Sequence, residues 1–435
     1  MSARKSVHHT FVARYGVPSG WAEVRLRDAV EIVGGGTPDT SDPRFWNGDI
    51  PWLTPTEMTS LRGRLATTSE RKVTQLALQS SNCRLLSPGA LVISMRGTIG
   101  NIAIAAVPLT CNQSCEALLP RENVNNEYLY YLLVFLRPLL ERLGAGTTFT
   151  SVTRRDIRDI RFALPTEPKE QQSIAETLVA VDEANAAAQA KLTVGRRLKI
   201  ALMQQLFTRG IPGRHARFKT GRVFRHEFEV PKTWEVAPLR SSVTCVEYGT
   251  NAPSNDEERG LPVVAIPEVI ASRFRLGECS YAEVPEHEAA ALRLESDDVL
   301  LVRTNGNPDY IGKSTVVGDE AANHHMIFAS YLIRVRTNKD KVSGKYLNYF
   351  LSSPLGRRQC FAMANTSAGN HNLGSRSIKQ FVFPRPNPEE QEEIVRIIDS
   401  VEDTIESSQS QIASVERLRR SLLQNLLTGR VRVRM

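Results

Sequence analysis

The chain carries an internal repeat, and that repeat limits its fold more than any other feature. Val17-Pro18-Ser19-Gly20-Trp21-Ala22-Glu23-Val24 resembles Val230-Pro231-Lys232-Thr233-Trp234-Glu235-Val236, with Trp21 and Trp234 213 residues apart. Pro168-Lys169-Glu170-Gln171 resembles Pro388-Glu389-Glu390-Gln391, 220 residues further on. From there the match runs without a gap. Ile174 pairs with Ile394, Val181 with Val401, Arg197 with Arg417, Leu198 with Leu418, Leu202 with Leu422, Gln204 with Gln424, Leu206 with Leu426 and Thr208 with Thr428. Such a chain folds twice to one plan. Each half is a globular region of about 150 residues followed by one long segment, and seven extra residues in the second region account for the change of offset.

The long segments read as helices. Asn387 is a good N-cap, Pro388 suits the first turn, and Glu390 completes a capping-box pattern. The first copy has the poorer cap Glu167 before Pro168. In the second helix Ile394, Ile398, Val401, Ile405, Ile412, Val415, Leu422 and Leu426 follow steps of three and four, interrupted by Ser408 and Arg419. In the first, Ile174, Leu178, Val181, Ala188, Leu192, Leu202 and Leu206 form a weaker stripe, because alanines and Gly195 fill its middle. Gly210 and Pro212 stop one helix and Gly429 the other. Some forty residues of helix make roughly 60 Å of rod, whose narrow apolar seam needs a partner. Matched length and pattern favour an intramolecular coiled coil over two separate core helices. Run antiparallel, it would put one globular region at each end.

The globular regions look mixed α/β and rich in short strands. Ala90–Ser94 and Val299–Arg303 are short apolar strand candidates, and Tyr331–Arg336 alternates. Asn126–Leu143 and Gly344–Arg358 read as helices. Turn signals are dense: Gly34-Gly35-Gly36-Thr37-Pro38, Asn47-Gly48, Asn305-Gly306 and Gly369-Asn370.

Composition narrows the class. A 41% hydrophobic and 23% charged content is that of a folded chain. Apolar stretches such as Leu91–Ser94 and Ile102–Pro108 are too short to cross a bilayer, and His8 and His9 lie in a mixed polar run unlike a signal peptide. The six cysteines contain no CxxC pair, so reduced thiols of a cytoplasmic protein are expected. The net charge of +8 favours polyanionic partners without proving one. Its distribution says more: Arg209, Arg214, Arg217, Lys219, Arg222 and Arg225 run without an acidic residue. The tail has Arg417, Arg419, Arg420, Arg430, Arg432 and Arg434 against a lone Glu416. Such runs either neutralise phosphates or solvate a linker.

Catalytic motifs are near misses. Gly306-Asn307-Pro308-Asp309-Tyr310-Ile311-Gly312-Lys313-Ser314 resembles a phosphate-binding loop, but has five residues between its glycines instead of four. Asn307-Pro308-Asp309-Tyr310 resembles the Asn-Pro-Pro-Tyr motif of amino-methyltransferases, with Asp309 in place of a proline. No glycine-rich strand–turn–helix for S-adenosylmethionine accompanies it. HExxH, GxSxG and histidine-led zinc patterns are missing too.

Local text then resembles one family, the specificity subunits of type I restriction–modification systems. Gly35-Gly36-Thr37-Pro38 and Trp46-Asn47-Gly48-Asp49-Ile50-Pro51-Trp52-Leu53-Thr54-Pro55 look like the opening of its target-recognition domain. Arg96-Gly97-Thr98-Ile99-Gly100, and the related Arg303-Thr304-Asn305-Gly306 to Ile311-Gly312-Lys313, look like its middle. Pro168–Gln171 and Pro388–Gln391 resemble its helix openings, and Gly210-Ile211-Pro212-Gly213-Arg214-His215 with Phe218-Lys219 its connector. The first domain departs in ending at Thr147–Arg154, without a counterpart of Gly369-Asn370-His371-Asn372, so the two base-reading surfaces should differ.

The resemblance implies an α+β fold: two globular α/β target-recognition domains separated by two long helices forming an antiparallel coiled coil. The implied boundaries are a first target-recognition domain at 1–164, a central helix at 165–210 and a connector at 211–229. A second target-recognition domain follows at 230–383, then a C-terminal helix at 384–430 and a basic tail at 431–435. It further implies a non-catalytic cytoplasmic subunit that reads double-stranded DNA at a two-part site and takes part in phage defence. Two modification subunits would bring S-adenosylmethionine and methylate adenine. Restriction subunits would bring ATP, magnesium and translocation, with no cofactor or metal in this chain and no membrane partner. The candidate base or phosphate contacts are Arg96, Arg154, Arg155, Arg303, Asn305, Lys313, His371 and Asn372, each with an alternative as a solvated loop residue. Two other readings stay open: a self-contained methyltransferase or nuclease, and a coiled-coil scaffold with no DNA role.

Overall fold

The computed structural model describes residues 10–144, 151–224, 226–367 and 370–433. His8, His9, Thr147–Thr150, Arg225, Gly369 and Arg434, used in the sequence reading, lie outside them. The chain divides into two compact units, Met1–Ala190 with Ser408–Met435, and Lys191–Ser407. Each unit takes half of each long helix.

In the first unit, strands β1 (Val30–Gly34), β2 (Leu65–Ala66), β3 (Leu91–Ser94), β4 (Ile102–Ala105) and β5 (Cys115–Pro120) form a sheet in the order β1-β5-β3-β4-β2. Its pairs are antiparallel except β4 with β2. Every residue of β3 and β4 is buried, which is why they read as unbroken apolar runs. Helix α1 (Asn126–Gly144) starts where the Asn125 side chain accepts a hydrogen bond from the Tyr128 amide at 2.9 Å. The short helix α2 (Arg154–Arg158) opens with a capping box between Thr153 and Asp156. Tyr128, Leu129, Leu132 and Leu136 of α1 share one core with Ile174, Ala175 and Leu178 of the central helix and with Leu423, Leu426 and Leu427 of the C-terminal helix.

The second unit repeats this plan. Strands β6 (Val243–Tyr248), β7 (Val299–Val302), β9 (Ser314–Val316) and β10 (Leu332–Thr337) form an antiparallel sheet in the order β6-β10-β7-β9. A smaller sheet of β8 (Thr304–Asn305), β11 (Asn365–Ser367) and β12 (Asn370–Asn372) runs β8-β12-β11. The helix expected over 344–358 is two: α3 (Gly344–Ser352) and α4 (Pro354–Met363). Pro354 pushes Ser353 into extended backbone, and the freed Ser353 side chain caps α4 by accepting from the Gly356 amide at 3.1 Å. Helix α5 (Ser375–Lys379) occupies the place of α2. Tyr346, Leu347 and Phe350 share a core with Met203, Leu206 and Phe207 and with Ile394 and Ile398.

The long helices are Pro168–Leu206 and Pro388–Leu427. Within each unit they pair antiparallel. In the first, Asp182 accepts from Arg419 Nε at 2.5 Å and from the Tyr131 hydroxyl at 2.9 Å. In the second, Glu402 pairs with Lys199, and Tyr349 Oη lies 2.6 Å from the Glu402 carboxylate. Burial and the carboxylate beside it push both phenols up. Arg419 and Ser408 are therefore not breaks in the seam: one crosses it as an ion pair, and the other is buried within it. Gly195 serves close approach, since a Cβ there would stand 3.1 Å from Ile405 Cγ1.

At the helix starts, Asn387 caps as expected, its side chain accepting from the Glu390 amide at 2.9 Å. The expected return bond from Glu390 is replaced by tertiary contacts. Its buried carboxylate accepts from Trp234 Nε1 at 2.9 Å and lies 2.6 Å from His215 Nε2. Glu170 likewise takes Trp21 Nε1 at 3.3 Å and Arg432 Nη2 at 2.7 Å. The neighbouring glutamines clamp the chain. Gln171 donates to the Pro165 and Asn123 carbonyls at 2.9 and 3.1 Å, and Gln391 to those of Pro386 and Lys341 at 3.0 and 2.8 Å. The repeated Trp and Glu-Gln pairs thus dock each long helix on its own globular region.

Candidate nucleic-acid interface

In the second unit the chain leaves buried β7 at Val302 and continues through Arg303 into β8. The Arg303 carbonyl accepts from the Leu373 amide at 2.8 Å, which draws in β12. Asn305 then stands opposite His371, and Thr304 opposite Asn372. Four expected site residues from distant parts of the sequence thus meet on and beside one small polar sheet. Arg303 is half-buried: Nη1 donates to the Ser330 carbonyl at 3.0 Å, and its guanidinium carbon lies 4.4 Å from the Tyr248 ring centroid. Arg303 Nε and Asn372 Oδ1 are buried with no hydrogen-bond partner among the described residues. The Tyr248 hydroxyl accepts from the Ser375 amide at 2.9 Å. Burial raises the Tyr248 phenol, but that bond and the charges of Arg303 and Lys379 outweigh it and leave it below its usual range.

Asn305 is partly committed elsewhere, its side chain accepting from the Asn307 amide at 2.8 Å. Lys313 is exposed, with Nζ 4.7 Å from the Tyr310 ring centroid. The loop between them is not a phosphate cradle. From Asn307 to Lys313 every amide hydrogen is spent inside the protein: on Asn305 and Asn307 side chains, and on the carbonyls of Asn307, Pro308, Val302 and Tyr310. Asn307, with its side-chain oxygen capping Asp309 at 3.0 Å, is likewise committed to the turn.

In the first unit, Arg96 follows β3 and bridges Ser151, while Arg154 and Arg155 open α2. Arg154 Nη2 lies 2.8 Å from Glu116 Oε2 and rests over Gly34, where any Cβ would run into it. Arg96 and Arg155 are exposed and make no ion pair among the described residues.

Hydrogen bonds correct the register in which the two domains are compared. Ser94 exchanges backbone bonds with Asn101 and Gly100 just as Val302 does with Lys313 and Gly312. Met95 accepts from the Val152 amide at 2.9 Å as Arg303 does from that of Leu373. Arg303 is therefore the counterpart of Met95, which is 5% exposed, and Arg96 is the counterpart of Thr304. A slip of one residue reverses the face, so Arg96 and Arg303, which match in local sequence, point differently.

Nothing local marks Tyr248 and Glu116, and Gly34 shows in the sequence only as part of a turn signal. Arg376 and Lys379 on α5 could have been found, since running the repeat back from Phe162 and Phe383 aligns them with Arg155 and Arg158. Among the described residues no group of three or more His, Cys, Asp or Glu could hold a metal, and no helix is long and apolar enough to cross a membrane.

Residues 18–194 and 282–417 match the family model of the type I restriction modification DNA specificity domain. The chain is 25% identical over 430 residues to the type I restriction enzyme MjaIX specificity subunit of Methanocaldococcus jannaschii, covering 96% of this chain and 95% of that one. It is 24% identical to the EcoKI specificity subunit of Escherichia coli, over 79% of this chain and 75% of that one. The S subunit of a type I restriction–modification system from M. genitalium has the same fold, with a TM-score of 0.57 at 13% identity over 95% of this chain and 96% of that one. With both halves matched and nearly the whole length shared, this chain belongs to the type I restriction–modification DNA specificity family.

Proposed function

We propose that the chain reads a two-part DNA site through two target-recognition domains, residues 1–164 and 230–383, and scaffolds two modification subunits. The observation that carries this reading is the repeat itself. Each unit sets basic and polar side chains around the end of the same buried strand, β3 or β7, while those side chains differ between units. The repeated docking elements fit a common frame, and the divergent surfaces fit two different base sequences. The major groove distinguishes all four base pairs, so a few side chains per domain suffice for a half-site. Arg96, Arg154, Arg155, Arg303, Asn305, Lys313, His371 and Asn372 are the contacts we assign, with Arg376 and Lys379 added.

The scaffold role is supported by the long helices. Their repeat-matched Leu198 and Leu418 are 47% and 50% exposed, apolar surface that a partner helix would cover in each unit. The modification subunits would supply S-adenosylmethionine and the methyl transfer to adenine. Restriction subunits would supply ATP- and magnesium-dependent cleavage, and all would act in the cytoplasm.

The deciding experiment maps methylated adenines in a host expressing this chain with its modification subunit. A bipartite motif is expected. Replacing 230–383 with the domain of a relative should change one half of the motif and preserve the other, and change in both halves would defeat the modular account.

A further inference from the structure

The position held by Gly34 in one unit and Tyr248 in the other is the same point of the fold. Gly34 pairs with Glu116 across β5, which pairs with Ile93 of β3. Tyr248 pairs with Ile333 across β10, which pairs with Leu301 of β7. Each is the last residue of its edge strand, and the next residue is a glycine, Gly35 or Gly249, where a Cβ would collide with backbone carbonyl oxygen. At this shared point each unit holds one guanidinium, and the two come from unrelated chain positions. Arg154 lies over the bare Gly34 backbone and is fastened to Glu116. Arg303 lies on the Tyr248 ring and is fastened to the Ser330 carbonyl. The Tyr248 ring is itself anchored through its hydroxyl to α5.

We infer that the Gly34/Tyr248 position is a positioning site that decides where each recognition domain presents its arginine to DNA. This rests on the reading of Arg154 and Arg303 as DNA contacts. An arginine free in solution samples many rotamers, and ordering it on binding opposes association. A guanidinium covered on one face and held along one edge, Arg303 through Nη1 and Arg154 through Nε and Nη2, keeps its other Nη donors in plane, ready for two acceptors side by side. Guanine O6 and N7 offer such a pair, and so do two phosphate oxygens. With glycine at the position, an arginine from the start of α2 fits over the backbone. With tyrosine, that space is filled, and an arginine from the end of β7 stacks on the ring instead.

The test uses the full chain assembled with its modification subunit, a DNA duplex carrying the mapped site, and binding and methylation as readouts. Tyr248→Leu should weaken binding about 3- to 30-fold, in the range expected of a cation–π contact. Tyr248→Phe keeps the ring and should restore most of the affinity. Arg303→Ala should reproduce the loss, and Tyr248→Leu with Arg303→Ala should be no worse than Arg303→Ala alone. In the other domain Gly34→Ala should act as Arg154→Ala does, again without adding to it. If Arg303 meets a guanine, its loss relaxes one base position. If it meets a phosphate, binding falls on all sequences and the salt slope drops by about one. Either pattern supports the assignment. Methylation governed by the unaltered domain's half-site checks that each variant folds. Should Arg303→Ala weaken binding while Tyr248→Leu does not, or should their effects add, the positioning role fails and the DNA contact stands. Unchanged binding by Arg303→Ala and Arg154→Ala would overturn both.

Discussion

Trp234 donates its indole hydrogen to Glu390 at 2.9 Å, joining the first strand region of the second domain to the opening turn of the C-terminal helix. Both groups are buried, so the carboxylate depends on this bond, on His215 and on the more distant Arg214 for what water would otherwise provide. Trp234→Phe should therefore cost about 1–3 kcal/mol through a charged acceptor left short of donors. Trp21→Phe should cost less, because Glu170 keeps Arg432 at 2.6 Å, whereas the guanidinium beside Glu390, that of Arg214, stands 4.0 Å away. Urea unfolding of the two variants checks the order.

The Asp182–Arg419 pair carries a second prediction. Both side chains are about a quarter exposed, and Asp182 also receives the Tyr131 hydroxyl. Arg419→Met should destabilise the first unit by about 1–3 kcal/mol, because it strands a part-buried carboxylate. Asp182→Asn with Arg419→Met should recover part of the loss. A double-mutant cycle on thermal unfolding reads the coupling, and strictly additive losses would mean the pair holds nothing together.

In the second unit's helix pair, Gly195 packs so near Ile405 that a Cβ there would stand 3.1 Å from its Cγ1. Gly195→Leu should destabilise by about 1–3 kcal/mol by overpacking against Ile405, in spite of leucine's better helix propensity. Adding Ile405→Ala should relieve most of that cost. Circular dichroism melts of single and double variants provide the measurement.

Arg96 and Arg155 are exposed and without an ion pair among the described residues, which suits phosphate contact better than base reading. Each alanine variant should leave the methylated motif unchanged and lower the slope of log affinity against log salt by about one unit. A changed motif would move the residue into the base-reading set.

Much of this architecture was legible before any fold was known. The repeat, the helix starts at Pro168 and Pro388, the cap at Asn387 and the buried strands around Leu91–Ser94 and Val299–Val302 are properties of neighbouring residues, and neighbouring residues declare them. The break at Ser353 was legible as well, since Pro354 stands in the sequence, yet apolar spacing on either side masked it.

What sequence order alone determined, then, is the plan: two similar halves, each a mixed globular region feeding a long helix with an apolar stripe. These follow from periodicity and local steric preference, which act over a few residues. Tertiary structure decided the rest. Only the strand ladder reveals that Arg303 stands where Met95 does, that Asn305 faces His371, and that Tyr248 lies under Arg303. Those relations depend on which distant strands pair and in what register, and one residue of slip turns a side chain to the opposite face. Glu390 makes the same point, for a capping pattern offers its carboxylate a local amide, and the fold gives it the more deeply buried Trp234 instead.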